Sequence, residues 1–329
     1  MRNGVGPLLV MLLLAAVQSP DAGQSAPAAT IANGQVRASI HLPDATAGYY
    51  RGTRFDWSGA VSSLTWNGHE YFGQWFERYD PTLHDAIPGP VEEFLTGDNS
   101  AVGYAEAPPG GTFIRIGVGL LRKPAEPAFR RFETYEIVDP GKWTTHVGKD
   151  HIEFIHELMD GAGYAYRYRK LLRLEGASLI LEHDLTNTGT KPIVTSVYNH
   201  NFFTLDRKVT GPDIVVRFPF APKAARPLEG KDEVRGREVV FLRELQPKES
   251  LFTEMEGFGP TASDYGFEME HRGTGAGVRV TGDRPVQKLY FWSAVKTVCP
   301  EPYIDVSAEP GRTSTWKTTY TFYQAPPAR

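Results

Sequence analysis

The chain has 329 residues, with 35 Lys and Arg against 39 Asp and Glu and a formal net charge of −4. The two signs are interspersed, which leaves no basic face of the kind nucleic acid selects, and 41% hydrophobic with 22% charged residues is a globular composition, not a disordered one. With 33 Gly, 25 Pro, 15 Tyr and 18 Phe, the chain favours many short strands joined by turns over a few long helices.

In chain order, the first segment reads as an address. Arg2 precedes the apolar run Pro7 to Val17, and a polar, small-residue stretch (QSPDAGQSAPA) follows. That is the order of a secretory signal peptide covering residues 1–25, with cleavage expected somewhere in residues 18–28. The apolar run is well short of the ~20 residues that span a bilayer, so no membrane span is expected once the leader is removed. The expected location is the bacterial periplasm or the exterior. Cys299 is the one cysteine and forms no internal disulfide.

Alternation dominates the remainder. Tyr164, Tyr166 and Tyr168 alternate with Ala165, Arg167 and Arg169, and Trp316, Thr318, Tyr320 and Phe322 alternate with Lys317, Thr319 and Thr321, as on half-buried strands. Similar runs occupy 113–118, 152–158, 178–186, 193–198, 213–218 and 285–292. Turn signals separate them, among them Pro108-Pro109-Gly110-Gly111, Asp139-Pro140-Gly141 and Asn187-Thr188-Gly189. The best short-helix candidate is Val91 to Leu95. No repeat, linker or change of composition divides residues 30–329, so one large all-β domain of antiparallel sheets is expected there.

Several motifs dissolve on inspection. His156-Glu157-Leu158-Met159-Asp160 opens like H-E-x-x-H but has Asp at the fifth position, and its alternation is that of a strand, so no metal site is expected. Gly117-Val118-Gly119 lacks the following helix of a phosphate loop, and no G-x-S-x-G elbow is present. Two segments stand out. In the first, a turn at Asn187 leads into a strand ending at His200, flanked by Asn199 and Asn201 and backed by Phe202 and Phe203. An imidazole at a strand end beside amides and aromatic walls suits proton transfer, although a structural histidine satisfies the same pattern. In the second, Glu301 stands between Pro300 and Pro302 after an apolar strand, where partial burial would raise its pKa towards that of a useful base; a solvated loop carboxylate is the plainer reading.

Together the two segments resemble the aldose 1-epimerase, or galactose mutarotase-like, family, which carries a tN-x-G-x-x-P … N-H-x-Y-F-x-L segment and a later C-x-E-P followed by P-G and a final strand. Here they read TNTGTKP … YNHNFFTL and VCPEPYIDVSAEPG … TTYTF, with Gly59 to Leu64 and Asn67 to Glu70 similar to the family's opening strand pair. The resemblance implies a β-supersandwich and anomer interconversion of a small carbohydrate, with His200 as general acid and Glu301 as general base. A His/carboxylate pair of this kind needs no cofactor. Among the candidate substrate-binding residues, Glu92 stands in Gly89-Pro90-Val91-Glu92-Glu93-Phe94 where family members commonly place a sugar-holding histidine, and His84 is a substitute for that histidine. Asn201 adjoins the acid, and Arg51 and Arg54 precede the opening strand, within reach of an acidic sugar, although exposed arginines are the plainer reading. Two other functions use the same scaffold: carbohydrate binding without catalysis, which Glu92 favours, and polysaccharide lysis or hydrolysis, against which the compact length counts. The identity of the sugar and the oligomeric state stay open at this stage.

Overall fold

The computed structural model describes residue 1 and residues 26–325 apart from 227 and 229, so the leader read at residues 1–25 lies, but for its first residue, outside the described residues. Among these, the chain forms a ten-stranded, a six-stranded, a four-stranded and a three-stranded sheet, with two short 3-10 turns and no longer helix. None of the helices is long and apolar enough to cross a membrane.

Side-chain alternation builds the two large sheets. In the strand Tyr164–Glu175, Tyr166, Tyr168, Lys170, Leu172 and Leu174 are buried, while Arg167, Arg169 and Arg173 stay half-exposed on the other face. The neighbouring strand Ser178–Asn187 buries Leu181, His183 and Leu185 in the same way, and pairs with the final strand Thr313–Gln324, which contributes Trp316, Tyr320 and Phe322. The six-stranded sheet turns Phe94, Val197, Leu289, Phe291 and Ile304 towards these residues, and both sets belong to one hydrophobic cluster. At the 25–30 cal/mol per Å² appropriate to apolar burial, that cluster is the dominant favourable term in the fold. The opening strand pair is a hairpin, Val61–Trp66 with His69–Phe72, turned by Asn67 and Gly68, both at positive φ as a two-residue hairpin loop requires. It joins the six-stranded sheet through bridges of Phe72 to Phe203 and Phe203 to Val298.

Val91–Leu95 is a strand, not the short helix its sequence suggested. All five residues are buried, and they pair antiparallel with Ile193–His200 from Leu95 opposite Ser196 to Val91 opposite His200. A five-residue run is too short for its period to separate a helix from a strand. Here the open edge of the neighbouring strand decides it.

The core between the sheets is not wholly apolar. Lys170, from the ten-stranded sheet, donates to Glu92 of the six-stranded sheet and to the carbonyl of Ser58 at 2.8 Å, with the Asp56 carboxylate 3.5 Å away. His183 Nε2 lies 2.9 Å from the second Glu92 oxygen, which also accepts from Asn199 Nδ2 at 2.8 Å. Lys170 holds Glu92 ionised, with a pKa near 2 despite complete burial. Removing one partner of such a pair leaves a charge with neither water nor counter-ion, at a typical cost of about 3–5 kcal/mol. Urea unfolding of Lys170→Met is therefore expected to show a loss of that size, most of it recovered in Lys170→Met/Glu92→Gln. Equal stability of Lys170→Met and the parent would contradict the pairing.

Candidate active site

The six-stranded sheet presents its other face to a cavity of about 380 Å³, within the size range of small-molecule sites. Strand register determines what lies beneath it. Ile193–His200 pairs with Thr297–Ala308 up to Tyr198 opposite Tyr303. The ladder stops there, just before Pro302 and Pro300, which have no N–H to offer. Two residues further along each strand, on the same face, stand His200 and Glu301, with His200 Nε2 3.3 Å from Glu301 Oε1. The side chain of Asn201 takes over where the ladder ends, donating to the carbonyl of Pro300 at 2.8 Å.

Aromatic rings fix the imidazole. Phe202 stacks on His200 at 3.7 Å between centroids and 10° between planes, and Trp75 stacks on the far face of the same wall, 4.7 Å from Phe202. Phe55 and Trp292 approach His200 edge-on, at 5.6 and 5.2 Å. Phe202 reaches this place with a φ of 43°, a left-handed conformation that costs a bulky residue of the order of 1–3 kcal/mol. Its N–H donates to Cys299 Sγ at 3.0 Å, and this bond and the two stacked rings hold it there. The Cys299 thiol is buried and its pKa pushed up by desolvation, so its part here is to receive that N–H. Gly89 allows the edge strand to close on this corner, since a Cβ at that position would lie 2.1 Å from the carbonyl oxygen of Asn201.

Burial decides the charges of the pair. His200 and Glu301 are each 4% exposed. Desolvation pushes the Glu301 carboxyl up to about 8, with Arg131 and Arg54 pulling the other way, and pushes the imidazole of His200 well below its ordinary range. Both shifts follow from the cost of a charge in a site largely closed to water. At neutral pH burial therefore favours a protonated Glu301 and a neutral His200, whose Nδ1 has no hydrogen-bond partner among the described residues.

Behind the pair sits a second carboxylate, Glu93, opposite Tyr198 in the ladder. Its oxygens accept from Arg54 Nε at 2.9 Å, Arg131 Nε and Nη2 at 2.8 and 2.7 Å, Arg115 Nη2 at 3.3 Å and the Tyr198 hydroxyl at 2.5 Å. These cations hold it well below the usual carboxylate range. Arg131 arrives on the loop between the strands Gly119–Arg122 and Ile137–Asp139. That loop is pinned by Tyr135, whose hydroxyl accepts the Arg130 N–H at 2.7 Å and donates to Glu126 at 2.8 Å.

The structure thus gathers His200, Glu301, Arg54 and His84 around one cavity, with Asp85, Arg131 and Phe132 completing that side. It does not bring Glu92 or Asn201 to the cavity. The pleat sends Glu92 into the core, and Asn201 is spent on protein partners, donating to Pro300 and accepting from the Tyr320 hydroxyl at 2.8 Å. Arg51 also stays outside the lining and donates to the carbonyl of Gly48 at 3.2 Å. The Asn187 of the first motif is structural: it donates to the carbonyls of Lys191 and Ala308 and accepts from the Gly189 N–H. His156 is buried, with its nitrogens beside the Pro140 carbonyl and the Tyr166 hydroxyl, and no three His, Cys, Asp or Glu side chains among the described residues gather as a metal site.

Solved structures of similar architecture exist despite little shared sequence. A galactose mutarotase-like protein from Clostridium acetobutylicum superposes with a TM-score of 0.55 at 12% identity, over 90% of this chain and 94% of that one. The chain has the galactose mutarotase-like fold. An aldose epimerase homologue from C. elegans gives 0.51 at 14% identity, over 91% of this chain and 99% of that one, and a Synechocystis protein gives 0.54 at 15%, over 95% and 100%. No protein-family model matches the chain, and no curated protein matches it in sequence. The likeness is one of fold, and it agrees with the resemblance carried by the His200 and Glu301 segments.

A buried carboxyl with a pKa near 8 has a direct signature. The infrared band of a protonated carboxyl is expected to persist at neutral pH, to fade as pH rises through about 8, and to be missing in Glu301→Gln. A band lost in the ordinary carboxylate range would contradict the burial of Glu301.

Proposed function

We propose that this chain is an aldose 1-epimerase-like isomerase that interconverts the anomers of a sugar, with His200 and Glu301 as its proton-transfer pair. The observation that carries this reading is two titratable side chains held 3.3 Å apart at the base of an aromatic-walled cavity. Ring opening needs that set: a proton for the ring oxygen, an acceptor for the anomeric hydroxyl proton, and a site that excludes water while the aldehyde exists.

In the forward step the C1–O5 bond breaks as the ring oxygen gains a proton and the anomeric hydroxyl loses one. Rotation about C1–C2 and closure on the other face complete the exchange and return one proton to the pair. The family resemblance gives the acid role to His200 and the base role to Glu301. The burial of both groups supports the opposite assignment, with the proton on Glu301 at the start of a turnover, the neutral imidazole as acceptor and the carboxyl as donor. Either assignment uses the same singly protonated pair, and a change of anomer regenerates it. With the leader read at residues 1–25, the proposed place of action is outside the cytoplasm.

Anomer equilibration followed by polarimetry or NMR exchange across a sugar panel tests the proposal. His200→Ala and Glu301→Gln are each expected to slow it by about 10²–10⁴. Unchanged rates in both, or binding without exchange for every sugar, would refute it. The working state gains a second proton only at pH well below the ordinary histidine range and loses its one proton near pH 8. The pH profile of kcat/KM is therefore expected to be level through neutrality and to fall above about 8, whichever partner begins with the proton.

A further inference from the structure

We propose that the sugar accepted by this site carries an acidic substituent, bound by the free edges of the Arg54 and Arg131 guanidinium groups. The inference deepens the reading of the His200–Glu301 cavity and rests on it for the location of the reacting ring.

Charge balance is the first argument. Three guanidinium groups, those of Arg54, Arg115 and Arg131, surround the single carboxylate of Glu93. Arg115 is fully engaged behind the site, donating to the carbonyls of Thr53 at 3.2 Å, Phe94 at 2.8 Å and Arg54. Glu93 thus offsets one of three positive charges. Glu301, the other carboxyl at this depth, is neutral below about pH 8 and adds no further compensation. Asp85 is the remaining acid of the lining, and it lies at the mouth, a third exposed and 3.4 Å from His84 Nε2. The inner cavity is left with an excess of positive charge, screened little because its walls are aromatic.

Donor count is the second argument. A neutral hexose brings a ring of hydroxyl groups, each of which needs an acceptor as well as a donor. Few acceptors near this cavity stay free: both Glu93 oxygens are held by arginines and Tyr198 and Glu301 Oε1 lies against His200, which leaves Glu301 Oε2 and, at the mouth, Asp85. The donors are not all taken. Arg54 uses Nε on Glu93 and Nη2 on Tyr198, and Arg131 uses Nε and Nη2 on Glu93 and Nη2 again on Tyr198, so that among the described residues Nη1 of each makes no hydrogen bond to protein. A donor-rich, positively charged cavity matches an oxyanion, and guanidinium edges suit a carboxylate, a sulfate or a phosphate ester through the same geometry.

Preorganisation is the third argument. The Arg54 guanidinium lies between two rings, 4.4 Å from the centroid of Phe55 and 4.9 Å from that of Phe132. Its hydrogen bonds to Glu93 and Tyr198 fix the plane, so Glu93 acts as a positioning residue for both arginines. Two groups held this way lose little conformational freedom on meeting an anion, where most exposed arginines would lose much. Phe132 and Phe252, two of the few large apolar side chains exposed on the described surface, both line the mouth of the same cavity and offer ring faces to the sugar.

Calorimetry on the full chain decides the matter, with glucose against glucuronate, glucose 6-sulfate and glucose 6-phosphate, and galactose against galacturonate, at low and raised salt. At least one acidic sugar is expected to bind about tenfold or more tightly than its neutral parent. That preference, read as the ratio of acidic to neutral affinity within one protein, is expected to shrink with salt and to fall about tenfold in Arg131→Gln. The three acid types separate a carboxylate from a sulfate or a phosphate ester. The parent protein alone can overturn the proposal, since neutral sugars bound as tightly as every acidic one would do so whether or not the variant folds. An unchanged preference in a folded Arg131→Gln would overturn it too. Anomer exchange of neutral sugars without acid preference would leave the isomerase reading standing and remove the acidic substituent. Tight acid binding without exchange of any sugar would do the reverse.

Discussion

The pleat of one short strand organises both the stability and the chemistry of this protein. Val91–Leu95 carries two adjacent carboxylates, and because successive side chains of a strand point to opposite faces, Glu92 and Glu93 enter different worlds. Glu92 goes into the sandwich, where Lys170, His183 and Asn199 meet it and tie the six-stranded sheet to the ten-stranded one. Glu93 goes beneath the cavity, where it draws Arg54 from the chain before the hairpin and Arg131 from a loop. A register slip of one residue would exchange the two, placing a carboxylate without a cation in each environment. The buried ion pair is thus a register lock as much as a source of stability, and the neighbouring strand inherits the same phase: Asn199 faces the core with Glu92, and Tyr198 and His200 face the cavity.

Desolvation then sets the protonation of the two groups this geometry brings together. A histidine and a glutamate near each other at a surface would form an ordinary ion pair at pH 7, with the proton on the imidazole. Here aromatic rings enclose the imidazole and both groups are nearly closed to water, so the uncharged arrangement is favoured and the carboxyl keeps the proton. The arginines behind moderate the effect, since Arg131 and Arg54 both lower the Glu301 pKa and keep it within reach of neutrality. Without them a carboxyl so deeply buried would be a poorer proton donor. The aromatic wall, the strained Phe202 and the cation cluster therefore act on one quantity, the free energy of moving a proton between His200 and Glu301.

The two-residue period was legible from the start. The alternation at 164–168 and 316–322 and the strand ending at His200 appear in the structure because apolar alternation is a direct image of a half-buried strand. What failed had identifiable causes. Val91 to Leu95 read as a helix because five buried residues carry no usable period. The motif position of Glu92 points to the sugar, but the phase of its strand, which a motif does not carry, turns it into the core. Arg131 and Phe132 went unremarked, since nothing local in the loop from 123 to 136 shows that it folds back over Glu93; that contact joins residues 38 positions apart and depends on tertiary packing. The one local trace was an aromatic beside paired arginines in a segment with no alternation. Tyr290 and Trp292 were visible as strand residues, and the burial pattern of Lys288–Ala294, with Leu289, Phe291 and Ser293 inward, leaves them on the cavity side.

Fold and site also carry different kinds of information about function. At 12–15% identity the superposed structures share an architecture that tolerates wide exchange of residues. The cavity is less permissive. Its depth and the closeness of His200 to Glu301 follow from the ladder ending at two prolines, a backbone feature that many side chains around it would allow. Its charge follows from which side chains arrive from outside the six-stranded sheet: Arg54, His84 and Arg131 all come from connecting segments, not from the strands that hold the proton-transfer pair. The proposed reaction and the proposed ligand preference thus rest on separate parts of the molecule. Loops can exchange one ligand class for another while the strands keep the pair in place, provided Glu93 still has cations to hold it, because a buried carboxylate abandoned by its arginines would destabilise the floor on which both functions stand.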